Sequence, residues 1–597
     1  MRYKPKMPIK KLNIFIISVI IFTGLVFMQC ARQGSPSGGP KDETPPEVVE
    51  EFPPNKTVGF SETKATISFN EFVSLKDPAK EIFISPPMRL KPLYKTQGKK
   101  VIVEFQEALK DSTTYTINFG NAIVDYTEGN PLVNFEYVFS TGDHIDSLSV
   151  AGKILNAFDH KPESGIIVMV YQDNNDTIPL DSLPLKVQPK NASKSTKEGD
   201  FRINNLAAGQ YMLFALEDLN NNFIFDLPNE RIAFLDSLIS IEPIEIEEII
   251  PADTIDLTDT TDVNDTIVAI DVDPMVMKVK EEKAYRLFLF AETYSTQRLM
   301  GKKLIGKNLL QYIFQRPADS VRISAVGFDT GIPDWYILEF NKNRDTVNIW
   351  LKPGLPDTIR ICFQAGDSIA DTSKYILSKQ SQDSKGKKKE ILAGGGLRRL
   401  SNTVAGAFDL NKKLTLSFPL PIEDVDREKI HLYTSTDTMI ANLAFTDTVC
   451  RNAIIDYTWK QGEYYHLLIE DSVFCDLSGA YNDSTAFKFI VRKIEDYGLL
   501  LLNIGIPGMK GQYLVQLLTD KDVLVRQHAI SAPGILRFEY LWPGTYKLKV
   551  IYDTNANGIW DTGKYTRNSL PERVEYYEST VVIRANWDLQ EDWQLQE

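Results

Sequence analysis

Cysteine is almost absent from this chain of 597 residues: four occur, at positions 30, 362, 450 and 475. Disulfides therefore do not build the fold. Histidine is as scarce, with His144, His160, His431, His466 and His528 scattered and no Cys-x-x-Cys or Cys/His metal spacing anywhere. The Gly-x-Ser-x-Gly elbow, the His-Glu-x-x-His motif and the P-loop are also missing, which removes common signatures of hydrolases, zinc proteases and nucleotide binders. Positive charge is short too, with 66 Lys and Arg against 80 Asp and Glu, a net −14. Five of those bases (Arg2, Lys4, Lys6, Lys10 and Lys11) fall in residues 1–29, which hold no acid, so the remainder carries 61 bases against 80 acids, or −19. Nothing in so acidic a body offsets phosphate repulsion, and nucleic acid is not an expected partner. What is present is apolar material, 43% hydrophobic and 11% aromatic. That suffices for several packed cores, about four at roughly 150 residues each.

The address comes first. Basic residues to Lys11, an apolar run from Leu12 to Met28 and then Gln29-Cys30 make an export signal. At 17 residues the run is short for a membrane span, although an uncleaved anchor is the competing reading. Gln29-Cys30 resembles the lipobox of bacterial lipoproteins, with Gln29 where a small residue is usual. The resemblance implies removal of 1–29 and acylation (palmitate) of Cys30. Residues 30–43, rich in Gly, Ser and Pro, read as a tether that holds folded domains beside a membrane.

From Lys64 the chain alternates apolar and polar residues. Ala65, Ile67 and Phe69 interleave with Thr66, Ser68 and Asn70, and the pattern recurs at Val101–Phe105, Tyr115–Phe119 and Phe135–Phe139. Period-two alternation between turn residues predicts antiparallel sheets with one buried face, an all-β sandwich. Residues 44–141 resemble the bacterial Ig-like domain of S-layer type. The stretches that carry the likeness are Ile67–Val73, Asp111–Tyr115 and Asp125-Tyr126-Thr127-Glu128-Gly129-Asn130-Pro131-Leu132. Residues 148–240 differ: Val150–Ile154 opens them, and Gly199–Leu206 leads into Gly209-Gln210-Tyr211. This is similar to the transthyretin-like, carboxypeptidase-regulatory module, which accompanies enzymes and receptors without being catalytic.

The pattern then returns. A shift of 335 residues places Gly199 on Gly534, Leu206 on Leu541, Gly209 on Gly544, Tyr211 on Tyr546 and Asp218 on Asp553. A shift of 349 places Ser68-Phe69 on Ser417-Phe418 and Tyr115 on Tyr464. Chance rarely keeps so many turn residues in register. The expected architecture is therefore tandem β-sandwich domains, Ig-like plus transthyretin-like, duplicated. Residues 398–493 and 496–597 form the second pair. Between the copies, 283–377 predicts a further β domain without a family likeness, flanked by an acidic linker (241–282) and a basic, Gly-rich linker (378–397). The whole chain resembles Ig-like-domain lipoproteins of Bacteroidota, with Gly38-Gly39-Pro40-Lys41-Asp42 after the lipid cysteine.

Three kinds of candidate site follow. Asp218, Asn220, Asn222 and Asp226, repeated as Asp553, Asn555, Asn557 and Asp561, set oxygens at positions 1, 3, 5 and 9 of a loop, as a hard cation such as Ca²⁺ requires. Glu230 and Glu572 are the later acids that would complete each set. The competing reading is an Asx turn with no cofactor. Next, Asp-(Ser/Thr)-(aliphatic or Met) tripeptides put hydroxyls at Ser147, Thr177, Ser182, Ser237, Thr254, Thr266, Ser320, Thr346, Thr358, Ser368, Thr438, Thr448 and Ser472. They are similar to the O-glycosylation acceptor of exported Bacteroidota proteins, and equally suit turns that start strands. Last, Cys450 and Cys475 fall in one domain, either as a disulfide or as two buried thiols. Paired carboxylates lie in turns and in the acidic linker, where they read as solvated surface. Aromatics such as Tyr464, Tyr465, Trp542, Tyr546 and Trp560 read as core before they read as a ligand surface.

No enzyme is expected. The expectation is a non-catalytic outer-membrane lipoprotein, a rod of β modules serving as binding or scaffold subunit for an envelope partner, either a β-barrel or another lipoprotein. The alternative is a surface adhesin or glycan binder; a hydrolase ranks last. Neither an Asp nor an acid-rich tag follows Cys30, since Ala31-Arg32-Gln33 do. By the usual sorting rules that implies the outer membrane and its periplasmic face.

Overall fold

The computed structural model describes residues 42–172, 178–243, 284–293, 297–318, 320–331, 334–366, 369–377, 399–400, 403–404, 406–508 and 511–596. The chain is nearly all β, 49% strand and 4% helix, as alternation predicts. The lipidation candidate Cys30, the tether as far as Lys41, most of the acidic stretch and all of the basic linker lie outside the described residues. No helix among the described residues is long and apolar enough to cross a membrane. Two compact units are present. One holds residues up to 149 with 190–192 and 204–207; the other holds 150–189, 193–203 and 208–597.

The first unit is built on a sandwich. Its four-stranded sheet runs Val48–Phe52, Lys64–Phe69, Lys100–Glu104, Leu93–Gln97, and its three-stranded sheet runs Phe83–Ser85, Thr114–Asn118, Glu136–Ser140. Ala65, Ile67, Val101, Val103, Ile117 and Phe139 fill the space between and are fully buried, the inward half of the alternating pattern. A short pair, Val73–Leu75 with Ile123–Asp125, closes one end. The second sandwich repeats each part. Arg399–Leu400, Leu414–Ser417, Asn452–Ile455 and Leu443–Phe445 form one sheet; Ile430–Tyr433, Tyr464–Ile469 and Thr485–Val491 form the centre of the other; and Ile422–Val425 pairs with Phe474–Asp476.

The structure corrects the register of this repeat. Tyr115 Oη accepts the Lys110 N–H (2.9 Å), and Tyr465 Oη accepts the Lys460 N–H (3.1 Å). Each bond joins residues five apart, so the partner of Tyr115 is Tyr465 and the offset here is 350. Tyr464, the residue expected to match, is 71% exposed. One residue has been inserted since the Ser68/Ser417 match, and in a strand a one-residue slip moves a side chain to the opposite face.

The two modules share two strand groups, which stay separate sheets in the second and are joined into one eight-stranded sheet in the first by Arg231 and Ile232 pairing with Ala291 and Phe290. In the second, Gly534–Leu541, Gly498–Gly505 and Asp588–Gln594 form one sheet, while Leu524–Ile530, Gln512–Thr519, Gly544–Asp553 and Val574–Tyr576 form the other. In the first, Asp200–Leu206, Leu148–Asn156 and Ala284–Ala291 match the former; Asn191–Lys194, Ile167–Gln172, Gly209–Leu216 and Arg231–Phe234 match the latter. Here a boundary moves. Tyr285–Phe290 was expected to open the intervening domain, yet Ala284–Ala291 pairs in parallel with 151–156 of the first module, as 588–594 pairs with 499–505 in the second. Alternation identifies a strand but not its sheet, and the acidic stretch hides the return. The intervening sandwich proper has sheets of four and three strands between Leu299 and Ile376, centred on Tyr312 stacked against Phe363 at 4.1 Å.

Candidate functional site

The Asx loops are the strongest local signal in the sequence, and the structure builds both alike. Asp218 Oδ1 accepts the Asn222 N–H (3.2 Å) and Asp218 Oδ2 the Phe223 N–H (2.8 Å). Asp553 likewise accepts from Asn557 (3.1 Å) and Gly558 (2.8 Å). The side-chain amides of Asn220 and Asn222 donate to Asp226 (3.0 and 2.8 Å), and those of Asn555 and Asn557 to Asp561 (both 2.6 Å). Glu230 and Glu572 join the loops as the later acids. Glu230 accepts from the backbones of Leu219, Asp226 and Leu227, and Glu572 accepts from Thr554 and Asp561. Burial raises the Glu230 carboxyl's pKa, against the pull of its three backbone donors.

A cation needs several oxygens free to converge on it. Here the acids' oxygens are committed to N–H groups, and no group of three or more His, Cys, Asp or Glu that could hold a metal occurs among the described residues. The arrangement is that of a self-satisfied Asx turn. Both copies adopt left-handed backbone at matching positions, Asn221 and Phe223 (φ 59° and 62°) against Ala556 and Gly558 (φ 58° and 82°). Gly558 takes that conformation without strain, and Phe223 must offset it by burial.

The loops differ in one respect. Asp226 and Glu230 are four residues apart while Asp561 and Glu572 are eleven apart, so the second loop carries seven extra residues. These bring Tyr565 onto the first module. Its ring centroid lies 5.1 Å from both Phe214 and Phe234, its backbone N–H donates to Glu292, and Thr562 Oγ1 donates to the Ala291 carbonyl (2.6 Å). A Cβ at Gly563 would meet the Phe290 ring at 2.7 Å, so the contact is close. Beside it Lys549, buried, points its Nζ at the Phe158 ring, 3.1 Å from the centroid, while Lys161 bridges Asp159 and Asp522 at 2.9 and 3.1 Å. Burial lowers the Lys549 pKa to about 8, against the pull of Asp159 and Asp522. The two modules, far apart in sequence, thus touch directly. The expected rod would have kept them apart, and the insertion is the signal that could have shown otherwise.

The remaining candidates divide. Cys362, Cys450 and Cys475 are free thiols. Cys450 and Cys475 are neither bonded to each other nor fully buried: both are half-buried free thiols, with Cys475 Sγ directed to the Asp476 carbonyl (3.8 Å). Of the hydroxyl acceptors, Ser147, Ser237, Ser320, Thr358, Thr438, Thr448 and Ser472 are exposed, and Ser182 and Thr346 half-buried. Thr177, Thr254, Thr266 and Ser368 lie outside the described residues. Trp560 packs on Phe158 (5.2 Å) and Tyr465 on Phe489 (5.7 Å), as core. Tyr546 is buried too, its hydroxyl donating to the Trp542 carbonyl (2.8 Å).

The loop that carries the Ig-like resemblance is also well made. Asp125 Oδ1 accepts from the backbones of Thr127, Glu128 and Gly129, and Oδ2 from Asn130. Burial alone would oppose ionisation, yet these donors hold the carboxyl below its usual range. In the second copy Asp476 Oδ1 likewise accepts from the backbones of Ser478 and Ala480.

Residues 42–141 match the bacterial Ig-like domain family. No curated protein matches the chain. Among solved structures, one similar chain is SGBP-B of the mixed-linkage glucan utilization locus of Bacteroides ovatus, at 10% identity over 66% of this chain and 85% of that one, TM-score 0.17. Another is BcpA, the major pilin subunit of Bacillus cereus, at 9% identity over 75% and 99%, TM-score 0.13. An L,D-transpeptidase from Mycobacterium smegmatis has 14% identity over 28% and 76%, TM-score 0.13. At these scores none of the three bears on function.

Proposed function

We propose that this chain is a lipid-anchored, non-catalytic binding or scaffold subunit of a bacterial outer membrane, with its modules transthyretin-like in kind. The observation that carries the reading is the succession of a lipobox-like Cys30, a short tether and an Ig-like domain from residue 42. That order supports the reading of an Ig-like fold held beside a membrane by a lipid anchor. The partner is a β-barrel or a companion lipoprotein on the periplasmic face. A tagged pull-down from gently solubilised membranes of the native host, read by mass spectrometry, tests it. A stoichiometric barrel or lipoprotein supports the reading, and recovery of the chain alone sinks it.

A second reading, a surface glycan binder, is favoured by Phe72 and Tyr126. They adjoin through a backbone bond from Tyr126 N–H to the Phe72 carbonyl (2.9 Å) and are 60% and 75% exposed, with Lys99 5.9 Å from the Phe72 ring centre. Exposed rings beside polar groups suit sugar faces. Protease access on intact cells, with loss of glycan binding in Phe72→Ala, would support it, and full protection on intact cells would remove it.

A further inference from the structure

One end of the first sandwich gathers four segments of chain. The Phe69 N–H donates to the Lys99 carbonyl and the Val73 N–H to the Gly98 carbonyl (2.8 and 3.2 Å). The Asn70 N–H donates to the Glu47 carbonyl (3.0 Å), and the Tyr126 N–H to the Phe72 carbonyl (2.9 Å). The chain enters the fold here, since Asn130 Nδ2 donates to the Asp42 and Thr44 carbonyls (2.9 and 3.3 Å). It leaves at the other end. Lys99 and Phe105 flank one strand, Lys100–Glu104, and Phe105 packs on Phe139 at 5.5 Å, beside Ser140, where the sandwich's last strand stops. About 20 Å of strand separates entry from exit.

Phe72 and Tyr126 stand exposed at the entry end. Lys99 lies beside them, its Nζ donating to the Asn70 carbonyl (2.6 Å) and 5.9 Å from the Phe72 ring centre. Acids form the rim. Glu71 faces Asp125, Asp42, Glu128 and Lys99, and burial followed by the three carboxylates raises its pKa. Asp125 is committed to its own loop, which leaves Glu71, Asp42 and Glu128 as the rim charges. Two rings, a lysine and several carboxylates suit the boundary between water and a zwitterionic bilayer. Aromatic rings sit at the headgroup level, a lysine reaches past them to phosphate, and carboxylates meet headgroup ammonium.

The second sandwich has the same end, and there a neighbour covers it. The Leu477 N–H donates to the Pro421 carbonyl (2.8 Å), the counterpart of the bond between Tyr126 and Phe72. Leu420 and Leu477 are buried in one cluster with Leu309 and Trp350, which belong to the intervening sandwich, the domain just ahead in the chain. The residues differ between copies, Phe72 and Tyr126 standing where Pro421 and Leu477 stand, and so does what comes ahead of them. Ahead of the first sandwich is Cys30, twelve residues before Asp42, a reach of about 40 Å at full extension.

We propose that the entry end of the first sandwich rests on the lipid surface, with Phe72 and Tyr126 at the headgroup level of a zwitterionic bilayer. The inference rests on the lipid-anchor reading above. An anchor within that reach holds the end beside the bilayer at high effective concentration, so a contact of two rings suffices. The contact also sets the sandwich upright, with Ser140 about 20 Å further from the lipid than Tyr126.

The test places a photoreactive benzophenone analogue of phenylalanine at position 72 of the full chain in native membranes. The control carries it at position 52, because Phe52 is as exposed (66% against 60%) and ends the strand that leads away from the entry end, Val48–Phe52. Illumination should add phospholipid mass at position 72, and several-fold less at position 52. The analogue at position 126 should behave as it does at 72. A protein or glycan adduct at position 72 in place of lipid overturns the proposal, and so do equal lipid adducts at 72 and 52. The mass of the N-terminal peptide reads the anchor separately. Acylated Cys30 with no lipid adduct at 72 or 126 overturns this inference alone, whereas unmodified Cys30 overturns the anchor reading and this inference together.

Discussion

The two sandwich–module pairs share their central strands and use their outward-facing polar residues in opposite ways. In the first, Ser85, Thr116, Asn204 and Asn205 are short polar side chains that satisfy one another under cover. In the second, the positions matched by register hold Tyr433, His466, Glu539 and Tyr540, long groups that remain at the surface or, as Tyr540 does, pack against Tyr497. A duplicated fold is thus held by its inward-facing apolar residues, which the copies share, whereas domain contacts are decided by outward-facing residues, which they do not. Short polar groups suit a contact that must satisfy every buried donor. Aromatic groups suit either a wedge or a surface still to be covered.

The sharpest way to break the comparison is at the loop insertion. Tyr565→Ala should cost about 3–5 kcal/mol of local stability. Hydrogen exchange should accelerate in Gly209–Leu216 of the first module, with the first sandwich unmoved. If exchange there is unchanged, the modules are not held together by this ring. Next come the two faces. Thr116→Lys buries an unpaired charge and should cost about 2–3 kcal/mol, while His466→Lys at the matching open position should stay within about 0.5 kcal/mol. Equal effects in denaturant unfolding would mean the faces are not different.

A smaller effect falls on Lys549. Its folded pKa is about 8 against an ordinary 10.5, so between these values the unfolded chain holds a proton that the folded chain lacks. Stability should therefore rise with pH across that window, on the order of 1–2 kcal/mol, and Lys549→Met should flatten the slope. Melting curves at pH 7, 9 and 10 decide it. Smallest of all, chelation or added millimolar Ca²⁺ should move the melting midpoint by less than about 1 °C, since the loops satisfy their own acids. A larger shift, lost in Asp553→Ala, would make them metal sites.

Much of this was legible in the sequence, and the failures have physical causes. Ala65, Ile67 and Phe69 announce a strand because alternation is local, and the Asp218 and Asp553 loops announce themselves because turns need particular residue types at fixed spacing. Glu230 and Glu572 were found by matching across the insertion. What alternation does not encode is which strand a strand pairs with, so Ala284–Ala291 was assigned to the wrong domain. Nor does it encode whether a polar face meets water or another domain. Thr114 and Thr116, on the face opposite Tyr115 and Ile117, are buried. Of Tyr497, Tyr540 and Trp542, which pack together, only Trp542 stood out in the sequence, where it read as core.

The late return of Ala284–Ala291 has a topological consequence. Ile239–Ile241 and Ala284–Ala291 belong to one module, so the acidic stretch between them leaves a fold and comes back to it. It spaces no domains, and lengthening it should alter no distance between neighbours. A cut within it should release nothing: two fragments on a denaturing gel should migrate as one particle in native sizing, held by 151–156 pairing with 284–289, by Arg231 and Ile232 pairing with Ala291 and Phe290, and by the Tyr565 and Lys549 contacts between the modules. The same return delays assembly. The first module cannot complete its sheet until the whole excursion has followed its earlier strands, a long-range closure of the kind that slows folding. The second module meets no such wait, since its last strand, Asp588–Gln594, follows Val581–Ile583 after four residues.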